Sequence, residues 1–352
     1  MRRAGDWLPF RPRRRRRDQI EATGGSLISD AQGNSNARDP ESMPSTRDAM
    51  DTCGPPPSCG AGCVPTVPPK REPMSAIMEA LTRQGVVATE DEVASFAAHV
   101  ESAVDAHHRV SRYLELARKR NRLDILRLIA EARDASDLGE ALWRAFVAGH
   151  FGRLSVDYTD NNQIVIAGRF LCGFGTEPRW TWQALTSAPS GLADFKSWIE
   201  DPDTPLWELR FGNHRKFESK KPNSLLSVVC SFIDWVELHG DDPYSAFTAH
   251  TGSTPEQDFS LLYHSLSAVH RFGRTARFDL LDLIGRMNLL PIAPDSCYLI
   301  GATGPLSGAK RLWGKHAAAT LSETADSLAR DLRLPKAAVE DALCRWHKGL
   351  AY

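Results

Sequence analysis

The chain reads as a mainly α-helical globule behind a disordered N-terminal tail, and three observations predict this. From Ser75 onward, apolar residues recur at three- and four-residue spacing almost without interruption. Helix starts carry their own chemistry, a capping box at Thr89-Glu-Asp-Glu92 and cap-plus-proline pairs at Asp242-Pro243 and Thr254-Pro255. The first 73 residues show no apolar period and are rich in Gly, Ser, Asn, Asp and Pro, a composition that cannot offset the entropy of ordering a chain.

The tail (1–73) holds the basic run Arg13–Arg17 and the cysteine-bearing stretch Cys53–Cys63, and Met74 just after it reads as an alternative start. The capping box opens a long helix through Val93, Phe96, Val100 and Val104 toward Leu116. Leu123, Leu126 and Ile129 mark a second helix. After a break at Asp134–Asp137, Leu138, Leu142 and Phe146 mark a third. Gln163–Ile166 is the only strand-like piece, too short to form a sheet. Residues 149–221 are loop-rich and aromatic, with Trp180, Trp182, Trp198 and Trp207 read as packing between lobes. Helices follow at Asp242 and Thr254, and Leu334-Pro335 begins the last one. The expected division is a tail, 1–73, a helical domain, 74–320, and a C-terminal helical hairpin, 321–352.

Charge and cysteines exclude several classes. The tail carries 12 basic and 9 acidic residues, leaving a net of −4 for the body against −1 for the whole chain, so a polyanion has to be gripped locally. No apolar run approaches the ~18 residues of a membrane span, and no apolar segment follows the N-terminal arginines as in a secretory signal. The body's cysteines, Cys172, Cys230, Cys297 and Cys344, form no CxxC and read as reduced, mostly buried thiols of a cytoplasmic protein. Neither a metal nor an organic cofactor is indicated.

The informative stretch is Arg271–Gly314: a basic, apolar helix, a connector, then Gly301, Gly304 and Gly308 opening another helix. Uncovered amides at a helix start favour a phosphate, and Arg271, Arg274 and Arg277 add positive charge. A dinucleotide fingerprint is excluded, because no βαβ context follows. The closer match is a helix-hairpin-helix, in which Ile300–Gly304 forms the turn, Pro305 takes the first helical position, Gly308-Ala309 permits close packing, and Lys310 and Arg311 face the nucleic-acid backbone.

Three blocks, GRFLCGFG (168–175), GRTARFDLLDLIGRM (273–287) and LIGATGPLSGAKRLWG (299–314), resemble the α-glutamyl/putrescinyl thymine pyrophosphorylases, relatives of helix-hairpin-helix DNA glycosylases. The likeness spans Leu138–Gly314. It implies a DNA-glycosylase-like helical fold and base hypermodification in DNA, in which an amine (putrescine or an amino acid) displaces pyrophosphate from a pyrophosphorylated 5-hydroxymethyluracil. DNA and a small amine or amino acid would be the partners.

Such a displacement needs cations for the departing pyrophosphate, a group to accept the amine's proton, and a pocket for an extruded base. Arg169, Arg274, Arg277, Arg215 and Lys216 are the candidate phosphate clamp, since guanidinium forks match phosphate oxygens. Gly301, Gly304, Lys310 and Arg311 are candidates for the DNA backbone. Asp279, Asp282 and His214 are the candidate proton acceptors; the two aspartates lie near one helix face. The alternative is a non-catalytic or helix-turn-helix DNA-binding protein, with Pro335–Lys348 as recognition helix.

Overall fold

The structure, a computed structural model, describes residues 74–120, 124–151, 163–186, 190–208 and 222–350, all of them in the compact unit Pro65–Tyr352. The tail 1–73 and the basic cluster containing His214, Arg215 and Lys216 lie outside the described residues.

Among the described residues the periodic segments are helices and no strand occurs. They are α1 (Met74–Arg83), α2 (Glu90–Arg120), α3 (Ile125–Asp134), α4 (Leu138–His150), α5 (Gln163–Leu171), α6 (Trp182–Thr186), α7 (Gly191–Glu200), α8 (Pro222–His239), α9 (Pro243–Thr248), α10 (Pro255–Ser265), α11 (Arg274–Arg286), α12 (Gly304–Trp313), α13 (Ala318–Asp331) and α14 (Lys336–His347). The caps act as read. Glu92 Oε2 accepts from the Thr89 amide at 3.1 Å, and Asp242 and Ser245 form a reciprocal box at the start of α9. One expectation is corrected: Gln163–Ile166 opens α5 rather than forming a strand. Four residues cannot separate the two periods. The segment continues into Ala167, Phe170 and Leu171, which are buried at helical spacing.

Two hydrophobic cores form. The larger is built from α3 to α11, with Phe146 stacked on Phe232 at 3.8 Å and the Trp143 indole N–H donating to the Trp180 carbonyl at 2.8 Å. Trp180, Trp182 and Trp198 pack in or against this core, as packing residues and not as free platforms. The second core joins α1, α2, α12, α13 and α14 with Cys297 and Leu299. Close approach of α12 to α14 needs Gly308, where any Cβ would overlap the Leu343 carbonyl.

Two Schellman-type stops shape the seam between these cores. After α11, Asn288 takes φ +52 and the Leu289 amide returns to the Ile284 carbonyl at 3.1 Å. After α13, Arg333 takes φ +49 and the Leu334 amide returns to the Ala329 carbonyl at 2.7 Å. The first stop launches the loop 287–303, which Pro291 and Pro294 keep from continuing as a helix. The second sets Leu334, Pro335 and Lys336 beside that loop.

Candidate functional site

A cavity of about 330 Å³ opens at the seam, lined by His107 of α2, Asp282 and Arg286 of α11, Glu256 of α10, the loop residues Ile292–Pro294, and Lys336 at the start of α14. Pockets concentrate where packed units meet, and this one draws its polar groups from both cores. Asp282 Oδ2 pairs with Arg286 Nη1 at 3.2 Å, and its Oδ1 lies 3.9 Å from His107 Nδ1. Arg286 is anchored from the other side, where Nη2 donates to the carbonyls of Ala106 and His107, both at 3.1 Å. Burial pulls His107 down from 6.5 to about 4; Asp282 opposes the shift and Arg286 adds to it. At neutral pH the imidazole is therefore uncharged. Lys336 Nζ donates to the Asp295 carbonyl at 2.6 Å, which fixes an ammonium in the wall.

The arrangement has a definite chemistry. A carboxylate oriented by one guanidinium and flanked by a neutral imidazole accepts a proton, and a lysine neutralises an anion a short way off. Sequence reasoning reached Asp282 and missed His107, Arg286 and Lys336 as partners. The sole signal for His107 was the His107-His108 doublet in an amphipathic helix, which carries no spacing rule.

The other predicted residues fall in several places. Asp279, one turn from Asp282, is exposed, and its charge reaches Glu340. Arg169 is exposed on α5. Arg274 is engaged within the protein: Nη1 donates to the Tyr298 carbonyl at 2.7 Å and Nη2 to Glu340 Oε1 at 2.8 Å. Arg277 is likewise engaged, with Nη1 on the Tyr263 carbonyl at 2.8 Å and its guanidinium 4.3 Å over the Tyr263 ring. Both arginines are spent on holding chain segments, because carbonyls that no helix satisfies lie within their reach. Arg274 does meet the segment after residue 297, as a brace and not as a shared anion pocket. Arg311 pairs with Glu92 at 2.8 Å and lies 4.3 Å over the Trp346 ring, while Lys310 is exposed.

Gly301 is exposed at φ +75, and the Ala302 amide returns to the Leu299 carbonyl at 3.0 Å. The turn joins a loop to α12 rather than joining two helices, since α11 ends at Arg286. α14 packs on α2 and α12, burying Val339, Leu343 and Trp346, with Glu340 turned in against Arg274.

A second cavity, about 530 Å³, lies where α4, α6 and α9 begin. Its carboxylates are occupied: Asp137 caps α4, Asp242 caps α9, and Glu140 accepts from Arg144 and from the Trp182 amide, both at 2.7 Å. Burial raises Glu140 despite that guanidinium. These groups account for the helix starts and leave no orphan that calls for a ligand. Among the described residues no cluster of histidine, cysteine and acidic side chains is arranged to hold a metal ion, and no helix is long and apolar enough to cross a membrane.

The fold and the site together define an all-helical protein with a polar, acid-bearing cavity between two cores. A family model described as amino acid:DNA transferase matches residues 119–352, and the chain belongs to that family. The matched span contains the three blocks that resemble the thymine hypermodification enzymes, together with Asp282, Arg286 and Lys336; it begins after His107. The family identifies a DNA-modification transferase, with DNA and an amino acid as substrates. No curated protein and no solved structure matches the chain.

Proposed function

We propose that the protein joins an amino acid or related amine to a thymine-derived base in DNA by displacing pyrophosphate from a pyrophosphorylated 5-hydroxymethyluracil. The amine nitrogen forms a bond to the exocyclic methylene carbon. The carbon–oxygen bond to pyrophosphate breaks, and pyrophosphate departs with the electron pair. Asp282 accepts the proton that the amine releases, and the neutral His107 lies beside it. Lys336 neutralises the departing anion.

The observation that carries this reading is the placement of Asp282. Of the two predicted proton acceptors among the described residues it is the one that lines the cavity, held by Arg286 and within 3.9 Å of an imidazole that stays neutral. A cavity of about 330 Å³ is at the lower end of the range for small-ligand sites, enough for a pyrimidine with its substituent. The exposed turn at Gly301, the start of α12 at Gly304, and Lys310 are assigned to the DNA backbone. Arg169, Arg215 and Lys216 are assigned supporting contacts to it.

The test is direct. DNA carrying the pyrophosphorylated base is incubated with the protein and isotopically labelled amino acids, then digested to nucleosides for mass spectrometry. Label in a modified thymidine, with one pyrophosphate released per label, supports the reaction; release of pyrophosphate without label, or neither, refutes it.

A further inference from the structure

The charged side chains that line the cavity at the seam are not equivalent. Asp282 and Arg286 are paired with each other at 3.2 Å, and Arg286 gives its other amino group to the carbonyls of Ala106 and His107. Lys336 gives one N–H to a neutral acceptor, the Asp295 carbonyl, at 2.6 Å. The acids around it are engaged elsewhere. The Asp295 carboxylate accepts from the Tyr298 hydroxyl at 2.6 Å, Asp326 from the Cys297 amide at 2.6 Å, and Glu340 holds Arg274 at 2.8 Å. Among the described residues no ion pair engages Lys336 or Glu256. The cavity therefore has one uncommitted charge of each sign.

One loop sets these two charges. The Ala293 amide donates to the Pro255 carbonyl at 3.1 Å, which ties the start of α10, and Glu256 with it, to the loop. Two residues on, the Asp295 carbonyl takes Lys336. Two residues of chain span ~7 Å at most, so the two points of attachment lie close together on one wall. A helix dipole accounts for an acid in the first turn of α10. It does not account for a half-buried ammonium left without a counter-ion in the same cavity, an arrangement that costs free energy until an anion arrives.

We infer that these two residues select the amine substrate: Lys336 donates to the carboxylate of an α-amino acid, and Glu256 accepts from its ammonium. Glu256 is exposed, at the mouth, where the cation arrives; the Asp282 side chain, 14% exposed, lies deeper and takes the proton. Two N–H groups of Lys336 are left, one for the carboxylate and one for the departing pyrophosphate. A diamine brings a second cation toward Lys336 and leaves that ammonium unanswered, so the cavity discriminates against it by repulsion as well as by a missing contact. The inference rests on the reading that this cavity joins an amine to a base in DNA, and it adds which residues decide the amine.

The test uses the full chain and DNA carrying the pyrophosphorylated base, with labelled alanine and ethylamine, which differ only by the carboxylate. Wild-type protein should favour alanine by at least about tenfold in kcat/KM. Lys336→Met should bring that ratio within about threefold of unity, and Lys336→Arg should keep the preference. Any loss of pyrophosphate stabilisation in Lys336→Met affects both amines, so it cancels in the ratio. Glu256→Gln should raise KM for both amines about fivefold or more, with kcat within about twofold. An unchanged ratio in Lys336→Met, or no preference in the wild type, overturns the inference and leaves the reaction standing. Transfer of neither amine by the wild type counts against the reaction. Broadening of the alanine and ethylamine NMR lines by the full chain then decides the selectivity: broadening of alanine that Lys336→Met abolishes supports it, and equal broadening of both, or none, overturns it.

Discussion

Replacing His107 with asparagine should flatten the acid side of the stability curve. Burial holds the native imidazole at about 4 against 6.5 in the unfolded chain. As pH falls below 6.5 the unfolded state takes up a proton that the native state refuses. The stabilising contribution is therefore complete above 6.5 and is lost progressively as pH falls toward 4. At ~1.4 kcal/mol per pH unit, that interval is worth about 3 kcal/mol. The groups facing the ring are Asp282, Arg286 and His108, with Glu256 and Lys336 across the cavity. All of them remain in the variant, so the difference between the two proteins isolates His107. Urea unfolding at several pH values between about 7 and 4.5 should give a steeper loss for the wild type, by ~1 kcal/mol per pH unit over the lower half of that range. Parallel curves would refute the claim that the cavity keeps this imidazole neutral.

Three further outcomes are expected. Burial raises Glu340 to about 7 in spite of Arg274, so its contribution is present below 4.5 and is lost as pH rises through 7; Glu340→Gln should gain stability relative to the wild type across that interval, measured by thermal unfolding. Gly308→Ala should cost about 1–3 kcal/mol, because its methyl group meets the Leu343 carbonyl and α12 has to move from α14; an unchanged urea midpoint would contradict that packing. Lys310→Ala should weaken binding to any duplex and reduce the slope of log affinity against log salt by about 1, read by fluorescence anisotropy. An unchanged slope would remove Lys310 from the DNA face.

Much of the helical scaffold was legible because its signals are local. The box at Thr89–Glu92, the cap at Asp242 and the apolar runs after Leu123 and Leu138 each specify a helix from a few neighbouring residues. Gln163–Ile166 failed because four β-branched-rich residues look alike in either period, and the burial of Phe170 and Leu171 settled the matter. The site was less legible, for a physical reason. Arg274 and Arg277 look like free cations in the sequence, yet carbonyls of Tyr298 and Tyr263, distant in the chain, take up their hydrogen bonds. Asp282 was reachable from its helical context. His107, 175 residues upstream of it, was not, because only the packing of α2 against α11 brings the two together.

Single-turnover transfer of labelled amino acid to pyrophosphorylated DNA by Asp282→Asn tests the assignment of the chemistry to this cavity most directly. If this carboxylate takes the amine's proton, the rate should fall by about 10²–10⁴-fold, with DNA affinity unchanged and Asp279→Asn close to wild type. A rate within a few-fold of wild type in Asp282→Asn would contradict the assignment of the chemistry to this cavity.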